Sequence, residues 1–223
     1  MGRDSRLLIT IDGPAGAGKT TVSQMLAAAL GYRYLDTGAL YRGVAVAVRD
    51  AGIRADDDPA LERLCGHIRI GFAGERLLLD GEDISDRIRT PEITMLASAV
   101  SARPAVRRAL LDIQRRVGRD GGLVAEGRDM GTVVFPAADL KFFLDASTRQ
   151  RALRRFRQYG DGGGQRLEEI EADIRRRDEN DSTRDLAPLK AAADAEIIDS
   201  SQLSAEAVVA RMLARVRALH NPS

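Results

Sequence analysis

The sequence predicts an α/β fold in which a parallel sheet is covered by helices on both faces. Short apolar runs typical of buried strands alternate with longer segments whose apolar residues recur at helical spacing. A glycine-rich loop joins the first predicted strand to the first predicted helix. The chain has 223 residues, which suits one large domain or one domain that carries an insertion.

The N-terminal part contains two predicted strand–helix pairs. The apolar run over 7–11 is typical of a buried parallel strand. Apolar residues at helical spacing predict a helix over 20–30, and Gly31 is a suitable C-cap for it. A second strand is predicted over 32–35, and a second helix over 39–51.

The next region, 52–91, has a different pattern. Residues 56–59 carry a helix-start signal of acidic residues followed by proline. Residues 68–72 alternate between apolar side chains and polar or small ones, which is typical of a strand. Residues 76–79 predict another strand, before the hairpin-type turn at 80–81. We therefore predict a small antiparallel insertion here.

Strands and helices alternate again in the second half of the chain. The predicted elements are a helix over 92–101, a helix over 104–118 with Pro104 in its first turn, strands over 123–125 and 140–144, helices over 148–159 and 167–177, a strand over 196–198, and a helix over 204–219 with Ser204 as its cap.

Composition argues against several classes of function. The chain has 34 basic and 33 acidic residues, a net charge of +1, which is not typical of a general nucleic-acid binder. Its single cysteine, Cys65, and two histidines leave no basis for an intramolecular disulfide or a cysteine-based zinc site. No apolar run approaches 18 residues and no secretory signal opens the chain, so we expect a cytoplasmic protein without membrane contact.

The glycine-rich loop is the strongest functional signal. Residues 13–20 match the phosphate-binding pattern G-x-x-x-x-G-K-T, after a predicted strand and before a predicted helix, which is the context that the motif requires. Its backbone N–H groups and the helix N-terminus suit the phosphates of a nucleoside triphosphate. Lys19 suits the β- and γ-phosphates, and the Thr20 hydroxyl suits Mg²⁺.

Three classes of protein share this loop: GTP switches, ATP-driven motors and kinases of small molecules. The guanine-reading pattern N-K-x-D of GTP switches is absent from the sequence. A motor normally has a longer chain or a ring of subunits. The small size, the antiparallel insertion and the arginine-rich second half therefore favour a small-molecule kinase.

Several side chains follow predicted strands, where ligands bind in this fold class. Thr37, Glu126 and Arg128 occupy such positions, and Glu126 suits a metal-bound water. Arginines also stand at 42, 107, 177 and 184, and several arginines converging on one phosphate dianion are expected in a kinase of a nucleoside monophosphate.

Longer motifs resemble the bacterial cytidylate kinases, a branch of the nucleoside monophosphate kinases. The matching stretches are 9–20, 35–42, 126–136, 141–147 and 177–184, in the expected order. The stretch Gly-Arg-Asp-Met-Gly-Thr-Val-Val-Phe-Pro at 127–136 is the most specific of them. The resemblance implies a five-stranded parallel sheet, a short lid over about 156–166, and a core over 1–51 and 92–223, with 52–91 as an insertion of the CMP-binding domain.

The resemblance also implies roles for individual residues. Lys19, Arg128 and Arg177 would be catalytic, and Thr20 and, through water, Glu126 would serve Mg²⁺. ATP would be bound by Gly13, Pro14, Ala15, Gly16, Ala17, Gly18, Lys19, Thr20, Thr21, Arg151, Arg154 and Arg155. CMP would be bound by Thr37, Arg42, Ser98, Arg107, Arg128, Asp129, Arg177, Asp181 and Arg184, with Ser98, Arg107 and Asp181 reading the cytosine.

The implied reaction is ATP + CMP → ADP + CDP, with Mg²⁺, with dCMP as a second acceptor, and with a monomer as the working form. Two alternatives stay open at this point. One is another small-acceptor kinase with this loop, of the UMP or shikimate type. The other is a nucleotide-binding module without catalytic activity.

Overall fold

Strands and helices alternate along most of the chain, as the hydrophobic patterning predicts. The computed structural model describes residues 6–74, 76–158 and 164–220. In chain order the elements are β1 (Leu8–Asp12), α1 (Lys19–Leu30), β2 (Arg33–Asp36), α2 (Thr37–Asp50), α3 (Asp58–His67), β3 (Ile70–Ala73), β4 (Arg76–Leu79), β5 (Glu82–Asp83), a 3₁₀ turn (Arg87–Arg89), α4 (Pro91–Ser101), α5 (Pro104–Gly118), β6 (Leu123–Gly127), a π-helical turn (Met130–Val134), β7 (Leu140–Asp145), α6 (Thr148–Gln158), α7 (Leu167–Thr183), β8 (Glu196–Asp199) and α8 (Ala205–His220).

The chain forms two compact units, one of Met1–Leu35 with Asp120–Ser223 and the other of Asp36–Arg119. The predicted insertion over 52–91 lies within the second unit. The assignment of 1–51 and 92–223 to one functional core stays a prediction. Of the predicted lid over about 156–166, residues 159–163 lie outside the described part of the chain.

The central sheet of the first unit has five parallel strands in the order β2-β6-β1-β7-β8. Strand β1 is in its middle, with Ile9 opposite Val124 of β6 on one side and Leu140 of β7 on the other. Apolar side chains of the sheet, α1 and α8 form its core. The predicted five-stranded parallel sheet, flanked by helices, is confirmed.

The second unit carries its own apolar core and a three-stranded antiparallel sheet in the order β3-β4-β5. Ile70 of β3 pairs with Leu79 of β4. The turn that joins β4 to β5 begins at Asp80, which has φ 51°. Gly43 of α2 lets the helix approach this sheet, because a Cβ there would lie 2.3 Å from Ile70 Cδ1. The predicted antiparallel insertion is confirmed as a sheet.

Helix α7 extends six residues beyond the predicted end at 177. Its apolar spacing stops at Ile174, which is why patterning alone ends the helix too early. The chain continues without Gly or Pro, and the Ser182 hydroxyl donates to the Asp178 carbonyl at 2.7 Å inside the last turn. Asp181 therefore lies on a helix and not on a charged loop.

Helix lengths and hydropathy also bear on membranes. Across the described residues, no helix combines the length and the apolar character that a bilayer span requires.

Candidate active site

The glycine-rich loop runs from β1 into α1. Gly13 has φ +147°, and a Cβ there would lie 2.0 Å from the Leu144 carbonyl oxygen, so a side chain does not fit. Gly18 is the N-cap of α1 with φ 95°. Since glycine has no side chain to cap the helix, the first N–H groups of α1 are available to an anion.

Lys19 is the buried cation of this loop. Its Nζ donates to the Pro14 carbonyl at 2.8 Å, which folds the side chain back over the loop. Burial lowers the pKa of Lys19 to about 7, and the positive charges of Arg128 and Arg177 act in the same direction, against the carboxylate of Glu126. The carboxylates of Glu126 and Asp12 only partly offset burial and the two arginines, so a polyphosphate at this loop would favour the charged ammonium.

Thr20 and Glu126, which the sequence assigns separately to Mg²⁺, are in direct contact. Thr20 Oγ1 donates to Glu126 Oε1 at 2.8 Å, and Glu126 is buried within β6. The Tyr34 hydroxyl of β2 bonds to the same oxygen. Sequence analysis missed Tyr34, because a tyrosine in a short strand carries no signal of the carboxylate that it meets 92 positions away.

The same group of oxygen atoms suits Mg²⁺. One hydroxyl and one carboxylate, completed by phosphates and water, is how proteins usually hold this ion at nucleotide sites. Within the described ranges, no three or more His, Cys, Asp or Glu side chains group as a protein-only metal site. An ion beside Thr20 and Glu126 would therefore take most of its ligands from the nucleotide and solvent.

Asp12 is a second residue that sequence analysis did not assign. Its Oδ1 and Oδ2 accept from the N–H groups of Met130 and Gly131, both at 2.8 Å. Burial raises the pKa of Asp12 to about 6, partly offset by these two hydrogen bonds. The carboxylate holds the start of the π-helical turn, immediately after the segment that carries Arg128 and Asp129.

Arg128 and Asp181 form an ion pair in the first unit. Arg128 Nε donates to Asp181 Oδ2 at 2.9 Å. Burial alone would raise the pKa of Asp181, but the charges of Arg128 and Arg177 outweigh it and lower the pKa below its ordinary value. The structure thus brings together three residues that the sequence assigns to the acceptor nucleotide.

Arg184 and Asp129 extend this group. Arg184 Nη2 lies 3.9 Å from Asp129 Oδ1, and both side chains are buried. Arg184 Nε donates to the Ala187 carbonyl at 2.6 Å, which holds the chain just beyond α7. Their roles toward CMP stay predictions.

Two arginines of α6 contact the glycine-rich loop itself. Arg151 Nη1 donates to the Ala15 carbonyl, and Arg154 Nη1 donates to the Ala17 carbonyl, both at 3.0 Å. Burial lowers the pKa of Arg154. Arg155 lies one helical turn after Arg151. Contact of these three side chains with ATP stays a prediction.

In the second unit, Arg42 and Thr37 lie at the start of α2. Arg42 Nη2 pairs with Asp36 Oδ2 at 2.8 Å, and Asp36 also caps the helix by accepting from Ala39 N at 3.0 Å. Thr37, the first residue of the helix, is buried. The helix therefore begins two residues earlier than predicted.

Ser98 and Arg107 are brought together through Ser101. The Ser101 hydroxyl donates to the Ser98 carbonyl at 2.8 Å, and Arg107 Nη1 donates to the Ser101 carbonyl at 3.2 Å. The Arg107 guanidinium also lies 5.8 Å from the centre of the Tyr41 ring, within range of a cation–π contact. Both predicted base-reading residues of this unit thus share one local network.

Comparison with known proteins covers nearly the whole chain. The family model described as cytidylate kinase matches residues 9–218. The chain is 50% identical over 216 residues to a cytidylate kinase of Geobacter sulfurreducens, covering 95% of this chain and 93% of that one. It is 48% identical over 220 residues to a cytidylate kinase of Citrifermentans bemidjiense, covering 96% and 94%.

Two further similarities differ in kind. A bifunctional pantoate ligase/cytidylate kinase of Synechocystis is 48% identical over 210 residues, which cover 90% of this chain and 41% of that protein. Among solved structures, a gluconokinase from Sinorhizobium meliloti matches with a TM-score of 0.50 at 16% identity, over 98% of this chain and all of the other. At that identity the structural match indicates the fold alone.

Proposed function

The chain belongs to the cytidylate kinase family, and from this premise we propose that it transfers the γ-phosphoryl group of ATP to CMP, giving ADP and CDP. We propose dCMP as a second acceptor. The observation that carries the proposal is the extent of the family match, which spans residues 9–218 and so includes the glycine-rich loop and every predicted acceptor residue.

The geometry of the loop supports the donor half of the reaction. Gly13 and Gly18 keep the loop open to phosphate. Lys19 is buried with a lowered pKa, and a bound polyphosphate would stabilise its protonated, positively charged form. Phosphoryl transfer needs alignment and charge neutralisation more than covalent chemistry, and a loop of this kind supplies both. Arg177, whose charge reaches Lys19, suits the transferring group.

The arginines support the acceptor half. A nucleoside monophosphate is largely dianionic at neutral pH, so its phosphate oxygen is ready to attack and requires no general base. The cations that we assign to CMP are Arg42, Arg107, Arg128, Arg177 and Arg184. Asp129, Asp181, Thr37 and Ser98 complete the proposed set.

Mg²⁺ is the proposed cofactor. When bound, the ion neutralises charge on the transferring phosphates. Thr20 would ligate it directly, and Glu126 would orient a bound water. Glu126 is already held by Thr20 and Tyr34, so the carboxylate is positioned before any nucleotide arrives.

The test is ADP release with a panel of acceptors at equal concentration: CMP, dCMP, UMP, AMP, GMP, shikimate and none. We expect CMP and dCMP to give the fastest turnover, and the Lys19→Ala variant to give none above background. Faster turnover with shikimate or another monophosphate would replace the proposed acceptor. ATP binding without turnover on any acceptor would indicate a non-catalytic module.

A further inference from the structure

All three nitrogen atoms of the Arg151 guanidinium donate hydrogen bonds to other groups of the protein. The side chain is 5% exposed. Nε donates to the Ala146 carbonyl at 2.9 Å, Nη1 to the Ala15 carbonyl at 3.0 Å, and Nη2 to Thr148 Oγ1 at 3.2 Å. Nη2 also pairs with Asp178 Oδ2 at 2.6 Å.

One partner of Arg151, Ala15, lies in the middle of the glycine-rich loop. The loop packs directly on α6 at this point, since a Cβ at Gly16 would lie 3.1 Å from Arg151 Cβ. Arg154, three residues along the same helix, donates to the Ala17 carbonyl and to Ser200. Two carbonyl groups of the loop are therefore held by α6.

The second partner is Asp178 of α7. Asp178 follows Arg177 directly and lies one helical turn before Asp181, so it belongs to the segment assigned to the acceptor and the transferring group. Its Oδ1 is buried and makes no hydrogen bond among the described residues. The ion pair with Arg151 at 2.6 Å is thus the contact that fixes this carboxylate.

We propose that Arg151 is a positioning residue that fixes the glycine-rich loop through Ala15 and couples it to α7 through Asp178. The assignment of α7 to the acceptor and the transferring group rests on the proposed function. The effect of Arg151 that the experiment tests is on ATP binding alone. One rigid guanidinium reaches both partners at once, because its nitrogen atoms point in fixed directions. A loop held in this way keeps its N–H groups pre-arranged for phosphate.

The sign of one substitution separates positioning from simple electrostatics. Asp178 is an anion near a polyphosphate site, so removing its charge would by itself favour ATP. If Asp178 instead holds Arg151 in place, Asp178→Asn weakens ATP binding. We expect a loss of about tenfold for Asp178→Asn, and a larger loss for Arg151→Ala.

The experiment is calorimetric titration of ATP without acceptor, with thermal unfolding as a check on folding. The variants are Asp178→Asn, Arg151→Ala, Arg151→Lys and the double variant that combines Asp178→Asn with Arg151→Ala. The two losses should not add, because the double variant removes the same contact once. Lysine should restore little, since one compact ammonium cannot reach all four acceptors that the separate nitrogen atoms of the guanidinium contact. Steady-state kinetics should show the KM for ATP rising more than kcat falls.

A matched control exists on the same two helices. Arg149 of α6 and Glu171 of α7 pair at 3.2 Å, but Arg149 is 55% exposed and makes no described contact with the loop. Arg149→Ala and Glu171→Gln should leave ATP affinity unchanged. If breaking this pair weakens ATP as much as Asp178→Asn does, the special role of Arg151 is wrong.

Other outcomes are equally decisive. Unchanged or tighter ATP binding in Asp178→Asn overturns the coupling, and full additivity in the double variant does the same. Should Arg151→Ala fail to fold, Asp178→Asn and Arg151→Lys still decide the matter. Because no acceptor is present, failure of the CMP assay in the wild type would reject the proposed function without touching this result.

Discussion

Arg128 Nε donates to Asp181 Oδ2 at 2.9 Å, which joins the segment after β6 to the last turns of α7. The side chains are 19% and 6% exposed, so the pair is shielded from most of the solvent. Residue types alone favour Arg177 or Arg184 as partners of Asp181, since they are its near neighbours in the sequence. A change at either residue therefore removes a largely buried charge pair, although Arg177 and Arg184 still lie close enough to Asp181 to act on its charge.

Arg128→Ala should raise the KM for CMP by about tenfold to a hundredfold, because a charge-assisted phosphate contact is lost. At pH 6, where Lys19 is charged with or without Arg128, ATP affinity should change little, since the described hydrogen bonds of Arg128 are to Asp181 and Gly127 and not to the glycine-rich loop. Separate calorimetric titrations of CMP and ATP measure the two effects. Equal weakening of both nucleotides would remove Arg128 from the acceptor site.

Asp181→Ala should narrow the preference for CMP over UMP, mainly by harming CMP. Cytosine carries a donor where uracil carries an acceptor, so a buried carboxylate that accepts from the base discriminates strongly. The measurement is the ratio of kcat/KM for the two acceptors in wild type and variant. Asp173→Ala is the control, because Asp173 lies on the same helix, is half-buried and pairs with Arg176 instead of Arg128.

The structure makes the competing outcome of this experiment specific. Asp181 already accepts from Arg128. If its whole role is to hold that arginine, both acceptors will suffer equally and the ratio will not move. Base reading would then rest on Ser98 and Arg107.

Lys19→Ala should lower turnover by orders of magnitude while the protein stays folded, because the ammonium stabilises charge on the transferring phosphate. The lowered pKa of Lys19, about 7, adds a test with a defined sign. Above pH 7 the nucleotide-free lysine is mostly neutral, and bound phosphate favours the ammonium. ATP binding at pH 8 should therefore take up a proton, and ATP affinity should fall as pH rises from 7 to 9, approaching about tenfold per unit.

Calorimetry in buffers of different ionisation enthalpy counts that proton. The uptake should disappear in Lys19→Met. It should shift to higher pH in Arg128→Ala, because the arginine charge is one cause of the lowered pKa of Lys19. ATP binding in the wild type without proton uptake between pH 7 and 9 would contradict the assignment.

Much of the fold follows from local patterns. The strands around Ile9 and Val124 are mostly apolar and so predict a sheet buried on both faces, and the glycines of residues 13–18 locate the phosphate loop. The end of α7 does not follow, because its last turns depend on polar contacts such as Arg128–Asp181 and not on apolar spacing.

The supporting contacts of the site are the part that patterning could not supply. Asp12 meets Met130 across 118 positions, and Arg151 meets Ala15 across 136. Contacts of this separation are set by the packing of the sheet and its helices, so a single sequence identifies the residue type but not its partner.

At pH 6, below the pKa of Lys19, Glu126→Gln should weaken ATP binding in the presence of Mg²⁺ by about tenfold. Mg²⁺-free ATP binding at that pH should be unchanged or tighter, because the lysine is already charged and the ion is the group that the carboxylate favours. Tyr34→Phe should give a smaller change of the same sign, because the hydroxyl holds the Glu126 carboxylate. Tyr32→Phe is the matched control, as the Tyr32 hydroxyl accepts from Leu7 N at 3.0 Å instead. Equal losses with and without Mg²⁺ would assign Glu126 to the loop and not to the ion.

Asp12→Asn should change how stability depends on pH. Burial raises the pKa of Asp12 from 3.8 to about 6, so the folded protein holds a proton there more tightly than the unfolded chain. The stability that this proton contributes is present below pH 4 and is lost as pH rises through 6, by roughly 3 kcal/mol at most. Urea unfolding between pH 5 and 7.5 should therefore show the wild type losing more stability with rising pH than Asp12→Asn does.

Asp139→Asn is the control, because that exposed carboxylate also accepts a backbone N–H, from Leu8 at 2.7 Å. Parallel pH profiles for the wild type and Asp12→Asn would show that Asp12 is fully ionised in the folded protein across this range.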